Sequence, residues 1–62
     1  MYKATREIEV TFNNNKVKNI TLIVFDNAID NARAKLTREV AHYADCPATV
    51  KVVNLYEHFE SF

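Results

Sequence analysis

Residues 20–27, ITLIVFDN, join an apolar run to a polar pair, and a helical pattern begins at this junction. The apolar side chains of the run fall on both faces of an extended chain, which is typical of a strand buried on both sides. The helical pattern ends at Cys46-Pro47, and a second β-branched run, Val50 to Leu55, follows. The junction therefore predicts a strand, a helix and a second strand in that order.

An alternating segment precedes the apolar run. Ile8, Val10 and Phe12 alternate with polar residues, which is the pattern of a strand with one exposed face. Three consecutive asparagines, residues 13–15, follow this segment in a chain that contains no glycine. Because asparagine tolerates the left-handed conformation better than most residues, the triplet predicts a tight turn between two strands. We expect β1 at about 5–12 and β2 at about 17–25.

The pattern predicts one helix over about 27–45. Asp26 or Asn27 is suited to the N-cap position, and Pro47 disfavours helix at the residue before it. Apolar residues recur at steps of three and four and form one stripe, which consists of Ile29, Ala32, Leu36, Val40 and Tyr43. We expect Leu36 and Val40 to be buried against a sheet.

These elements predict an α+β fold, a single β-β-α-β domain over residues 1–62 with one helix packed on one face of a three-stranded sheet. The third strand is expected at about 49–55, followed by an aromatic tail, 56–62, that forms one helical turn or an irregular segment. The two-faced character of the second strand favours a central position and the strand order 1-2-3. The alternative order is 2-1-3, in which the third strand pairs with the first and the sheet is wholly antiparallel.

Composition narrows the classes of function. Eight basic and eight acidic residues balance, and the absence of glycine excludes Gly-rich phosphate-binding loops. The single cysteine excludes an intrachain disulfide. The start of the chain lacks a signal-peptide pattern, and no apolar run approaches the ~20 residues that span a bilayer. We therefore expect no membrane association and a location in the cytoplasm, which would be the host cytoplasm if the protein is viral.

Residues capable of catalysis or metal binding are few. His42 and Cys46 are four residues apart, and His58 could join them in a metal site. Recognisable zinc sites contain paired Cys or His motifs, however, and this chain has only one such half-motif. A nucleophile would also need a base within hydrogen-bond reach. We expect no metal, no cofactor and no enzymatic activity.

Binding of nucleic acid is the second hypothesis. Arg33, Lys35 and Arg38 lie on the predicted helix, and Lys16 and Lys18 lie near the turn. Acidic residues are interleaved with the helical cations, and a nucleic-acid binder usually carries an uncompensated basic surface. An accessory protein that binds nucleic acid through the helix or a sheet edge therefore stays the alternative.

The surface that one helix cannot cover is the main candidate site. If the second and third strands were adjacent, Ile23, Phe25, Val53 and Leu55 would form an apolar patch, and such patches mark interaction sites. A β-bulge that redirects side chains is the alternative. The tail aromatics either plug the core or join the patch, because aromatic residues are enriched at interface hot spots. The candidate interface residues are Ile23, Phe25, Val53, Leu55, Tyr56, Phe59 and Phe62.

The expected function is that of a non-catalytic protein-interaction module or inhibitor that binds and blocks or adapts another protein. A homodimer that forms through the second sheet face or an exposed strand edge, with the tail aromatics taking part, is also expected, because burial of the second face would stabilise so small a domain. In size, asparagine-rich composition and architecture the chain is similar to small accessory and inhibitor proteins of bacteriophages, including anti-defence and anti-CRISPR types. No motif carries this similarity, and no family is implied.

Overall fold

The computed structural model describes residues 1–62. It consists of β1 (Tyr2–Phe12), β2 (Val17–Asp26), α1 (Ile29–Ala44) and β3 (Thr49–Ser61). The three strands form one antiparallel sheet, and α1 packs on one of its faces. The predicted α+β fold with the element order β-β-α-β is therefore confirmed.

The strand order is β2-β1-β3, so the favoured order 1-2-3 is wrong and the alternative 2-1-3 is observed. β1 is central and antiparallel to both neighbours, and β2 and β3 are consequently parallel to each other. The helix that joins them crosses over β1. Two strand spacings of ~4.8 Å separate β2 from β3, and a helix about 10 Å wide fits above that gap. The two-faced pattern of β2 arises although β2 is an edge strand.

The aromatic tail continues β3 and is neither a helical turn nor an irregular segment. β3 runs to Ser61, and its last residues pair with residues 2–7 of β1. The Phe62 N–H donates a hydrogen bond of 2.9 Å to the Met1 carbonyl oxygen. β1 begins at Tyr2, earlier than predicted, and the backbone groups of its first residues need a partner on the β3 side. The tail supplies that partner.

Two β-bulges interrupt β3. The pairing of β1 with β3 shifts between Glu7 and Ile8 and again between Thr11 and Phe12, which leaves Leu55 and Val50 as the extra residues. A bulge changes which face the following side chains occupy. The alternative interpretation of the apolar pattern, redirection by a bulge, therefore applies to Leu55.

The core lies between α1 and the even-numbered side chains of β1. Its fully buried residues are Ala4, Ile8, Val10, Ala32 and Leu36. Three of them, Ala4, Ala32 and Leu36, form the core cluster, and partly buried side chains from both edge strands, Leu22, Val24 and Phe59, pack against it. The predicted burial of Leu36 is confirmed, whereas Val40 is only half-buried.

The asparagine triplet forms the predicted turn. Asn15 has φ 67°, in the left-handed region, and its N–H donates to the Phe12 carbonyl oxygen at 2.9 Å. The Asn14 side chain accepts a hydrogen bond of 3.1 Å from the Lys16 N–H. Asparagine thus provides the conformation that glycine commonly provides in such turns.

The helix begins later than its predicted cap. Ala28 occupies the N-cap position and makes no side-chain capping hydrogen bond. Asp26 remains in β2 opposite Tyr2, and its Oδ1 accepts a hydrogen bond of 2.9 Å from the Ala28 N–H. The carboxylate therefore orders the connection before the helix instead of capping it. No helix has the length and apolar character that crossing a membrane requires.

Candidate functional site

The sheet face opposite α1 is uncovered, and we call it the open face. Side chains alternate between the faces of a strand, so the odd-numbered residues of β1 point away from the helix that covers Ala4, Ile8 and Val10. Their partners in the two neighbouring strands lie on the same face. The open face consists of Lys3, Thr5, Glu7, Glu9 and Thr11 of β1; Val17, Asn19, Thr21, Ile23 and Phe25 of β2; and Lys51, Val53, Tyr56, His58 and Glu60 of β3.

Four large side chains of the open face are about half exposed. The exposed fractions are 57% for Val17, 50% for Ile23, 52% for Phe25 and 50% for Tyr56. The predicted patch, however, required β2 and β3 to be adjacent, and β1 separates them. Thr5 lies between Ile23 and His58, so the apolar side chains form two stripes along the edge strands, with a polar stripe between them.

The two apolar stripes meet at one end of the open face. The rings of Phe25 and Phe62 have centroids 6.0 Å apart and planes at 87°, an edge-to-face contact. Phe25 is paired with Lys3, and the Phe62 backbone is hydrogen-bonded to Met1. The two rings therefore meet above the first residues of β1, and we call this contact the aromatic bridge. With 67% of Phe62 exposed, this aromatic bridge is open to a partner.

A second aromatic contact lies on β3. Tyr56 and His58 stack with ring centroids 6.2 Å apart and planes at 15°. The stacked pair lies across from Ile23 and Thr21, on the other side of the polar stripe. The open face thus presents flat aromatic surfaces at its end and along its β3 side.

Two predicted interface residues lie elsewhere. Phe59 is paired with Ala4 and packs against the core cluster, and the Arg33 guanidinium carbon lies 5.0 Å from its ring centroid. Phe59 is therefore part of the helix side of the sheet. Leu55 is the bulge residue and lines a shallow depression of about 340 Å³, whose other lining residues are Arg6, Asn54, Tyr56 and Glu57.

One ion pair was not anticipated from the sequence. Arg6 and Glu57 are directly opposite each other on β1 and β3, and their side chains form a salt bridge on the helix side. Only 14% of the Arg6 side chain is exposed. Arg6 occupies an even-numbered position of β1, in phase with the buried residues. The alternation itself was the signal that this side chain is covered.

The charge of the open face is slightly acidic. Glu7, Glu9 and Glu60 outnumber Lys3 and Lys51, and Glu7 and Glu9 are consecutive in the central polar stripe. A partner that covers this face therefore gains from basic side chains above the middle of β1, because unpaired carboxylates are costly to bury.

The basic residues of the helix are partly engaged within the chain. The Lys35 Nζ lies 2.7 Å from the Asp26 Oδ2, and Arg33 lies over Phe59. The hydrogen bond from Lys35, followed by that from the Ala28 N–H, lowers the pKa of the Asp26 carboxyl from its ordinary value of 3.8.

The residues considered for metal binding are not brought together. His42 is exposed on α1, and His58 lies on the open face, so the sheet separates the two imidazoles. Cys46 is half-buried in the turn after the helix. No group of three or more His, Cys, Asp or Glu side chains has an arrangement that could hold a metal ion.

No protein-family model matches the chain, and no curated protein or solved structure matches it either. The open face and the two strand edges are therefore the features from which a function can be inferred.

Proposed function

We propose that this protein is a non-catalytic interaction module that binds another protein through the open face and thereby blocks or adapts it. The observation that carries the proposal is the half exposure of Ile23, Phe25 and Tyr56 on the face opposite the helix. Ile23 and Phe25 lie on one apolar stripe and Tyr56 on the other, and the stripes meet at the rings of Phe25 and Phe62. Exposed apolar side chains rimmed by polar residues are typical of interaction sites. A role of the bacteriophage-inhibitor type stays a prediction.

The energetics favour a covered open face. At ~25 cal/mol per Å², burial of about 300 Å² of apolar area contributes roughly 7 kcal/mol before the costs of association. The net stability of a whole domain is only ~5–15 kcal/mol. A partner on this face would therefore change the energetics of the protein substantially.

The chemistry of the face suggests the chemistry of the partner. The aromatic bridge of Phe25 and Phe62 and the stacked Tyr56 are suited to apolar contacts, since aromatic residues dominate interface hot spots. Glu7 and Glu9 favour a partner with Lys or Arg between its apolar contacts. We propose a protein surface with apolar side chains on both sides of a basic centre.

The nucleic-acid alternative has less support from the same observations. The open face has more carboxylates than cations, and two of the three cations on α1 contact groups of their own chain. Affinity for nucleic acid comes largely from cations that neutralise phosphates. Gel-shift titrations with mixed-sequence DNA and RNA at low salt would support the alternative if they showed salt-sensitive binding.

Site-specific photocrosslinking tests the proposal. Benzoylphenylalanine in place of Tyr56 puts the probe on the open face, and the same probe in place of Arg38 puts it on exposed α1 as a matched control. In an extract of the source cells we expect one protein to crosslink from position 56 and not from position 38. Equal crosslinking from both positions, or crosslinking only from the helix, would contradict the proposal.

A second measurement uses the partner after its purification. Ile23→Lys adds a charge to the apolar stripe, and Arg38→Ala is the control. We expect Ile23→Lys to raise the dissociation constant measured by calorimetry at least about tenfold, which corresponds to a loss of only ~1.4 kcal/mol of binding free energy. Circular dichroism should show an unchanged fold. Unchanged affinity would remove Ile23 from the site.

A further inference from the structure

The two edges of the sheet differ in how they are protected against further pairing. β3 carries two bulges, at Leu55 and Val50, and charged residues along its length. β2 pairs with β1 over ten consecutive positions without a shift. Natural proteins protect exposed edges with bulges, charges or proline, and a long regular apolar edge is a site of strand addition. β2 has charged residues only near its ends, at Lys18 and Asp26.

The hydrogen-bond pattern shows which backbone groups of β2 are free. The Phe12 N–H donates to the Lys16 carbonyl oxygen, and in an antiparallel pair bonded and non-bonded positions alternate. The even-numbered residues of β2 therefore bond to β1. The N–H and C=O groups of the odd-numbered residues point outward from the edge of the sheet, and these residues are Val17, Asn19, Thr21, Ile23 and Phe25.

We propose that the β2 edge pairs with the β2 edge of a second copy of this chain, antiparallel and centred on Leu22. The two charged residues lie four positions on either side of Leu22. A two-fold axis at that residue places each Lys18 opposite Asp26 of the other copy, where Lys18 adds a second cation beside the carboxylate that Lys35 of the same chain already contacts. Ile20 then lies opposite Val24, and the sheet becomes continuous over six strands.

The outward amides allow the registers that pair odd-numbered residues with each other, and the charge pairing selects one of these registers. The selected register matches the outward amides of Thr21 and Asn19 with those of Ile23 and Phe25. Lys18 and Asp26 fall in a non-hydrogen-bonded pair, in which side chains lie closer together. A shift by two residues would place Lys18 opposite Val24 or Ala28 and lose the charge pairing, and a shift by one would exchange the faces.

The helices leave room for this pairing. The two copies of β1 would be separated by three strand spacings, roughly 14 Å, whereas packed helices need only ~8–10 Å between their axes. Both helices lie on the same side of the six-stranded sheet. On its other side the two open faces form one surface, and the side chains of Ile23 and Phe25 lie near the centre of that surface. This inference does not depend on the proposed function, because it concerns the edge of β2 and not the occupant of the open face.

Backbone amide exchange combined with sedimentation velocity tests the pairing. We expect the full chain to sediment as a dimer at submillimolar concentration, and the amides of Asn19, Thr21, Ile23 and Phe25 to be protected from exchange in that dimer. A monomer at all concentrations overturns the proposal. A dimer in which these four amides exchange freely also overturns it, since that dimer would pair through another surface.

Two variants with matched controls separate the backbone from the charge contribution. Thr21→Pro removes one outward N–H without removing a bond to β1, and Thr21→Val keeps that N–H. We expect the proline variant to be monomeric and the valine variant dimeric.

Lys18→Glu leaves the backbone intact and creates two like-charge pairs. We expect the dimer to weaken about tenfold. Because Lys18 is exposed, this variant and the exchange data decide the matter even if Thr21→Pro does not fold. An unchanged dissociation constant would overturn the register centred on Leu22.

Discussion

The two faces of the sheet share the same three strands but differ in what they contribute. On the helix side, Ala4, Ile8 and Val10 are fully buried. On the open face, the side chains of Ile23, Phe25 and Tyr56 remain half exposed although they are large and mainly apolar. The difference shows that one helix confines the folding core to one layer. The apolar side chains of the other face therefore stay in contact with solvent.

The largest expected effect is that of a truncation in the core. Leu36 is fully buried between α1 and the sheet, so Leu36→Ala should lower the free energy of unfolding by ~2–5 kcal/mol. For a 62-residue domain this is most of the net stability. Urea denaturation followed by circular dichroism measures the change.

Ile23→Ala is the matched truncation on the open face. At a position that is half exposed we expect a loss of about 1 kcal/mol or less in the monomer, because little apolar area is removed from water there. Equal losses for Leu36→Ala and Ile23→Ala would eliminate the distinction between the two faces.

The turn between β1 and β2 determines which residues occupy each face, because a slip of one position exchanges the faces. Asn15 has positive φ, and a β-branched residue is disfavoured there. Asn15→Val should therefore lower the stability by ~1–2 kcal/mol. Asn15→Gly is the control and should keep or raise the melting temperature. A stable Asn15→Val variant with native chemical shifts would contradict the role of the left-handed residue.

The aromatic bridge is expected to contribute less. A double-mutant cycle with Phe25→Leu and Phe62→Leu should give a coupling energy of about 0.5 kcal/mol, at the lower end for aromatic pairs because both rings are exposed. Chemical denaturation of the four proteins measures it. Strict additivity would show that the rings do not depend on each other.

The smallest effect concerns the ion pair at the end of β2 and depends on pH. The pKa of Asp26 is lowered in the folded state, so unfolding takes up protons as the pH falls through the lowered value. The stabilisation by the carboxylate is complete above the unfolded value of 3.8 and is lost below it as the folded pKa is passed. Asp26→Asn should be less stable than the wild type at neutral pH.

The difference in stability between the wild type and Asp26→Asn should vanish in acid. Lys35→Met should show the same convergence, because it removes the partner that lowers the pKa of Asp26 most. Melting curves from acid to neutral pH measure both. A gap that persists well below pH 3.8 would show that another group is responsible.

The types of β1, β2, α1 and the first half of β3 could be predicted because each has a local signal, whereas residues 56–61 extend β3 and were predicted as a helical turn or an irregular segment. Alternation identified β1, the stripe through Leu36 identified α1, and the asparagine triplet identified the turn with Asn15 at positive φ. The strand order could not be obtained in this way. Apolar residues on both faces of β2 suggested a central strand, whereas the pattern reflects an edge strand with apolar residues on its open face.

The candidate site was predicted only in part for the same reason. Ile23, Phe25 and Tyr56 lie on the open face, but alternation cannot locate a bulge, and the bulge at Leu55 changes the phase of β3. Phe59 faces the helix because residues three apart in a strand lie on opposite faces, and the prediction of a helical turn or an irregular segment at residues 56–62 did not take this alternation into account. The covered Arg6 was detectable from its phase in β1, but its partner Glu57 required the correct pairing of β1 with β3.

The bulge at Leu55 also determines where the chain can lose a single residue without a change in which side chains face the helix. Upstream of it, Val52 is paired with Val10, and downstream Phe59 is paired with Ala4, so both face the helix although one position is even and the other odd. Loss of one codon next to Leu55 could be absorbed by closing the bulge. The same loss in the middle of β2 would move the side chains of half of that strand to the opposite face of the sheet. Single-codon deletions should therefore be tolerated next to Leu55 and should prevent folding in the middle of β2.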